Sequence, residues 1–137
     1  MKIFIDTNIF LDLILKREYH KEALLILNAI EKGIFKGYIL DITILNIDYI
    51  AKKQIKDIRN FLNLINRVFT IKGASNEQIA NALDIENSDL EDNLQYITAQ
   101  QNQCQVIITN DKKFYSKDIK VLSSVDFVAK YLVKENS

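Results

Sequence analysis

The chain has 137 residues, 48% of them apolar and 26% charged, which is enough for one domain with a buried core and too few for two comfortable ones. Eighteen basic and eighteen acidic residues cancel, so no global field draws it to nucleic acid and any such contact must come from a local patch. The single Cys104 excludes an internal disulfide, no cysteine–histidine cluster signals zinc, and no apolar run approaches the ~18 residues of a membrane span.

Lys2–Ile5 reads as a short buried strand. Asp6-Thr7-Asn8 breaks it and supplies capping oxygens for a helix over Ile9–Leu15. Tyr19–Glu31 places apolar residues at Ala23, Leu24, Leu27 and Ile30, a helical period that Gly33 ends. Tyr38–Leu40 predicts a second strand, after which Asp41 or Thr43 caps a helix to about Lys53. Asp57–Arg67 is amphipathic, with Ile58, Phe61, Leu62 and Ile65 on one face. Val68–Ile71 is strand-like, and Ser75-Asn76-Glu77-Gln78 has the capping-box pattern of a helix to about Asp84.

After a loop over Ile85–Ser88, Asp89 opens a helix to about Gln103 with acids in its first turn, where the helix dipole favours them. Val106–Thr109 has the character of a central strand. Ile119–Leu122 is a last strand, and Ser123 or Ser124 caps a terminal helix to about Val133. Strands alternating with helices imply an α/β fold of three layers, α/β/α, around a mainly parallel sheet of four to five strands, as a single domain over residues 1–137.

Within that frame the acids Asp6, Asp92 and Asp111 stand out. Asp6 and Asp111 each follow a strand, and Asp92 lies in the first turn of a helix. In an open α/β sheet the carboxyl ends of adjacent strands share one crevice, and ligands bind there. Carboxylates converging in it repel by about 1 kcal/mol per pair at 4 Å in water and about 4 kcal/mol at intermediate dielectric. A hard divalent cation, Mg2+ or Mn2+, bound through oxygen offsets that repulsion. Each acid also has a local reading: a helix cap for Asp6, an Asn-Asp turn for Asp111, a first-turn acid for Asp92. Their combination is what points to a metal site.

The segments FIDTNIFLDLILKRE and DLEDNLQYITAQQNQCQVIITNDKKF, with their spacing, resemble a PIN domain of the small VapC-type toxin group, over nearly the whole chain. The resemblance implies a PIN-like fold and a metal-dependent endoribonuclease that cleaves single-stranded RNA as the toxin of a toxin–antitoxin pair. It puts Asp6, Asp92 and Asp111 on metal-ligating acids, with Asn8 and Thr109 in support and Mg2+ or Mn2+ as cofactor. It also implies an antitoxin partner, and a homodimer for which the apolar helices over Ile9–Ile30 offer a surface. One position departs from the pattern: a Glu is expected early in the helix after the second strand, and Asn46 stands there. Asn brings no charge and cannot act as a base. Asp48 lies about 200° around the helix from it. Asp41 could reach in from the strand end, and Asp89, one turn before Asp92, is the favoured compensating acid, with N-capping as its plainer role.

Arg17, Lys112 and Lys113 are candidate contacts to RNA phosphates, as are Lys16, Lys52 and Lys53, against the ordinary reading of a solvated charged face. His20, the only histidine, reads as a surface or boundary residue; Tyr49 and Tyr96 read as core or boundary aromatics, and Cys104 as structural. A start without signal-peptide shape, no membrane span and a lone cysteine predict a soluble cytoplasmic protein. The alternative function is a PIN-like RNA- or protein-binding module with weakened catalysis, supported by Asn46. A haloacid-dehalogenase-type phosphatase fails on Asn8, and a receiver domain fails on Gly73 and Ala74.

Overall fold

Successive strand residues enter different cores, as the two-residue period of a strand requires. Ile3, Ile5, Ile39, Val106 and Ile108 face one apolar cluster, while Phe4, Tyr38, Leu40 and Ile107 face a second. A sheet apolar on both faces must be covered on both. The computed structural model describes residues 1–132. Its elements are β1 (Lys2–Ile5), α1 (Thr7–Ile14), α2 (His20–Glu31), β2 (Lys36–Leu40), α3 (Asp41–Ala51), α4 (Ile58–Val68), β3 (Thr70–Lys72), α5 (Asn76–Leu83), α6 (Leu90–Gln101), β4 (Val106–Ile108), β5 (Lys120–Leu122) and α7 (Ser124–Tyr131). The strands form one parallel sheet in the order β3-β2-β1-β4-β5.

The first cluster gathers residues of α1, α2, α3, α4 and α7 against one face of the sheet, and the second gathers residues of α5 and α6 against the other. Burying each Ile or Phe side chain contributes roughly 1.5–3 kcal/mol. Ile3, Phe4, Ile39 and Ile107 are all fully buried, which makes the middle strands the most strongly held part of the sheet. Gly37 permits one tight contact in β2: a Cβ there would lie 2.7 Å from the Phe69 ring.

The helix ends follow the sequence chemistry in three places. Ser75 and Gln78 close the reciprocal capping box of α5, Asp89 caps α6, and Ser123 caps α7. At α3 the expectation fails. Leu40 is its N-cap without a side-chain bond, Asp41 is already helical, and the buried Thr43 hydroxyl pairs with that of Thr7 at 2.8 Å. On α2 the inward face is Ala23, Ile26, Leu27, Ala29 and Ile30, and Leu24 points outward at 46% exposure. Tyr96 is buried as expected, whereas Tyr49 is 73% exposed and belongs to neither core nor boundary. Cys104 is buried and its thiol is pushed up to about 11 by burial, so it is inert. The expected terminus of the last helix, Val133, lies outside the described residues.

Candidate metal centre

The central strand β1 lies between β2 and β4. The chain leaving β1 runs toward β2 and the chain leaving β4 runs the other way toward β5, so a crevice opens between their carboxyl ends. Asp6 follows β1 directly, Thr109, Asn110 and Asp111 follow β4, and the first turn of α6 brings in Glu91 and Asp92.

Asp6 occupies the N-cap position of α1, yet its carboxylate makes no capping bond. It is 3% exposed. Its Oδ1 accepts from Gln95 Nε2 at 3.2 Å and its Oδ2 from Thr109 Oγ1 at 2.8 Å. The same Gln95 Nε2 donates to Glu91 Oε2 at 3.4 Å, and Asn46 Nδ2 donates to Glu91 Oε1 at 3.2 Å. Gln95 is fully buried, and its Oε1 has no hydrogen-bond partner. These contacts make an inner wall from four elements.

Nearer the surface, Asp89, Asp92 and Asp111 each present a carboxylate oxygen within 4.8 Å of the other two. Asp89 Oδ1 also accepts the Asp92 backbone N–H at 3.0 Å, so it caps α6 and faces the group at once. Asp111 Oδ1 accepts the Lys113 N–H at 2.9 Å, and the Asp111 N–H donates to Thr109 Oγ1 at 3.1 Å. The Thr109 hydroxyl therefore links Asp6 to the start of the Asp111 turn. Asp6 itself sits outside the tight trio.

The electrostatics follow from burial and like charge. Burial raises the Asp6 pKa, opposed by the bonds from Thr109 and Gln95 and by the Thr7 backbone. Asp92 is pushed up to about 8, first by burial and then by the charges of Asp6, Asp89 and Asp111. Glu91 is raised by burial and by Asp6, opposed by the Asn46 bond. All-oxygen donors on mutually repelling carboxylates are the donor set of a hard divalent cation, and they fit one better than they fit each other.

The remaining sequence candidates divide. Asn8 is exposed and lines a cleft of about 350 Å³ with Arg17 and Asp111, with no described hydrogen bond to the acids. Arg17 Nη1 lies 3.9 Å from Asp12 Oδ1. Lys112 lines an adjoining cleft of about 690 Å³ with Thr109 and Asp111. Lys113 is exposed and contributes its backbone N–H to the Asp111 turn. Lys52 and Lys53 follow the end of α3, roughly 15 Å along that helix from its crevice-side start. Among the described residues no hydrogen bond joins Asp41 or Asp48 to the acids, and Asn46 is present at the crevice through Glu91. Sequence reasoning missed Glu91, Gln95 and Thr7. The i, i+4 spacing of Glu91 and Gln95 was a usable signal, since it puts both on one helix face.

Comparison with known proteins gives the family and the fold. The PIN domain family matches residues 2–113. Ribonuclease VapC1 of Aquifex aeolicus (strain VF5) is 31% identical over 140 residues, covering 95% of each chain. Among solved structures, a toxin-antitoxin complex from Klebsiella pneumoniae superimposes with a TM-score of 0.68 at 24% identity, over 89% of this chain and 97% of that one. VapBC2 from Rickettsia felis, bound to a DNA fragment from its promoter, gives 0.64 at 16% identity over 90% and 98%. At those identities the two structures speak for the fold.

Proposed function

Since the chain belongs to the PIN-domain family, we propose that it is a metal-dependent endoribonuclease of the VapC type, the toxin of a toxin–antitoxin pair, acting as one PIN domain on single-stranded RNA. The observation that carries the reading is the Thr109 hydroxyl, which binds Asp6 and the Asp111 turn together across 103 residues of sequence, beside an Asp92 surrounded by like charge.

Asp6, Asp92 and Asp111 are the residues that would hold Mg2+ or Mn2+, with Asp89 alongside. When bound, the ion supplies a water acidified for attack and positive charge against the phosphoryl oxygens. Thr109 and Gln95 orient Asp6, each through a donor that favours the charged carboxylate against the effect of burial. Arg17 and Lys112 stand on the cleft walls that meet at Asp111, where they would pair with the phosphates of a single strand. His20 is not needed as a base: its Nδ1 is taken by the Arg17 carbonyl at 2.7 Å.

For the partner, α3 exposes Ile42, Leu45 and Tyr49 at helical spacing beside Asn46, an apolar stripe suited to an antitoxin segment that reaches the crevice. Leu24 and Leu25 on α2 are about half exposed and offer a face for a homodimer. A cytoplasmic location goes with the toxin reading, since the RNA it would cleave is there; no described helix is long and apolar enough to cross a membrane.

An RNA cleavage assay with Mn2+, comparing the wild type with Asp6→Asn, tests the reading. Asp6→Asn should lower the rate on the order of a thousandfold. Equal rates would remove Asp6 from the mechanism. Cleavage by neither protein, with both folded and RNA still bound, would favour the binding-module alternative.

A further inference from the structure

We propose that Glu91 is a further acidic ligand of the metal centre, delivered by the first turn of α6, and that Asn46 is its hydrogen-bond donor. The inference rests on the metal-dependent reading above. The resemblance leads one to expect an acid at position 46 on α3, but the side chain there is an amide, and its Nδ2 lies 3.2 Å from Glu91 Oε1. Carboxylate and neutral partner have exchanged walls of the crevice. A Glu at 46 facing Glu91 would place two anions at that separation, so the Asn is what an acid at 91 requires.

Gln95 supplies the independent observation. Its Nε2 stands 3.2 Å from Asp6 Oδ1 and 3.4 Å from Glu91 Oε2, so a single amide group spans both carboxylates. Gln95 is fully buried, and the oxygen of that amide has no partner. A buried neutral amide does not balance two carboxylates, and a cation between them would.

Asp89 competes for the assignment, but its geometry is already explained. It is exposed, and its Oδ1 accepts the Asp92 N–H as an ordinary N-cap. Glu91 accepts no backbone N–H among the described bonds. Its partners are the side chains of Asn46 and Gln95, which come from the two sides of the crevice.

The test is Mn2+ titration calorimetry on the full chain, with metal-free thermal melting in parallel. Glu91→Gln should weaken Mn2+ binding by about tenfold or more, with a metal-free melting temperature equal to or above the wild type's, since it removes a charge next to Asp6. Asp89→Asn should weaken binding less than Glu91→Gln. Asn46→Glu combined with Glu91→Gln, which returns the acid to α3, should bring Mn2+ affinity back to within about threefold of the wild type. Unchanged Mn2+ affinity in Glu91→Gln, or a lowered metal-free melting temperature with that affinity intact, overturns the assignment and makes Glu91 a structural residue. If Glu91→Gln does not fold, failure of the folded Asn46→Glu protein to change Mn2+ affinity overturns it equally. Should the wild type bind no Mn2+, the metal-dependent reading itself falls, whereas loss of the Glu91 effect alone leaves that reading standing.

Discussion

The two walls of the crevice are built on opposite principles. On the inner wall, Asp6 and Glu91 receive donors from side chains, most of them far away in sequence: Gln95 and Thr109 for Asp6, Asn46 for Glu91, with Gln95 a nearer second donor to Glu91. On the outer wall, Asp89 and Asp111 receive donors from backbone amides three and two residues on, and Asp92 receives none described. The inner acids are therefore positioned by the fold, and the outer ones by bonds within their own turns. Loss of a donor from the inner wall should cost stability as well as activity. Damage to the outer wall should cost activity while relieving repulsion.

Thr109→Val tests the inner wall hardest. It keeps the shape but strips Asp6 Oδ2 and the Asp111 N–H of their shared partner. The expected result is a loss of about 1–3 kcal/mol in denaturant unfolding, with a fall of about 10–100-fold in Mn2+-dependent cleavage. A fully stable, fully active variant would mean that Thr109 does not hold the two halves of the site together.

Asp92→Asn tests the outer wall, and its sign is opposite. The Asp92 pKa is raised from 3.8 to about 8 in the folded protein, so between those values the folded state holds a proton that the unfolded state has released. The stability this gives the metal-free protein is fully present below 3.8 and is lost as pH rises through about 8. Metal-free Asp92→Asn should therefore melt at a higher temperature than the wild type near pH 8, with the gap narrowing toward pH 4 and with Mn2+ protecting the wild type alone. A wild-type advantage at pH 8 without metal would contradict the like-charge account.

The smallest effect is expected at the rim. Lys112→Ala removes one exposed cation from the cleft wall and should weaken single-stranded RNA binding by a few-fold at most, with a flatter salt dependence. Cleavage of bound RNA should hold. A loss comparable to that of Thr109→Val would promote Lys112 from steering to the chemistry.

The same contrast separates what was legible in the sequence from what was not. Asp6 and Asp111 could be placed at the crevice because Asp6 directly follows β1 and Asp111 comes three residues after β4, and in a parallel sheet neighbouring strand ends lie side by side. The caps at Ser75, Asp89 and Ser123 are local chemistry and could be read locally. Glu91 and Gln95 could not be assigned, because which face of α6 meets the crevice depends on its docking against the sheet. Tyr49 was misjudged because α3 is apolar around most of its circumference and its period does not name the inward side. On α2, the unbroken run Ala23-Leu24-Leu25-Ile26-Leu27 blurs the phase in the same way, which is why Leu24 was misplaced and Ile26 overlooked.

The placement of β1 in the middle of the sheet bears on when, during synthesis, this protein becomes competent. Its first strand leaves the ribosome early, but the neighbour β4 and the Thr109 hydroxyl lie more than a hundred residues later. A nascent chain that stops short of β4 has β1 paired on one side only, and one that stops short of residue 109 has Asp6 without its Thr109 donor. Competence therefore waits for the synthesis of residue 109 and the docking of β4, and a shorter nascent copy poses little hazard to the transcript from which it is being translated.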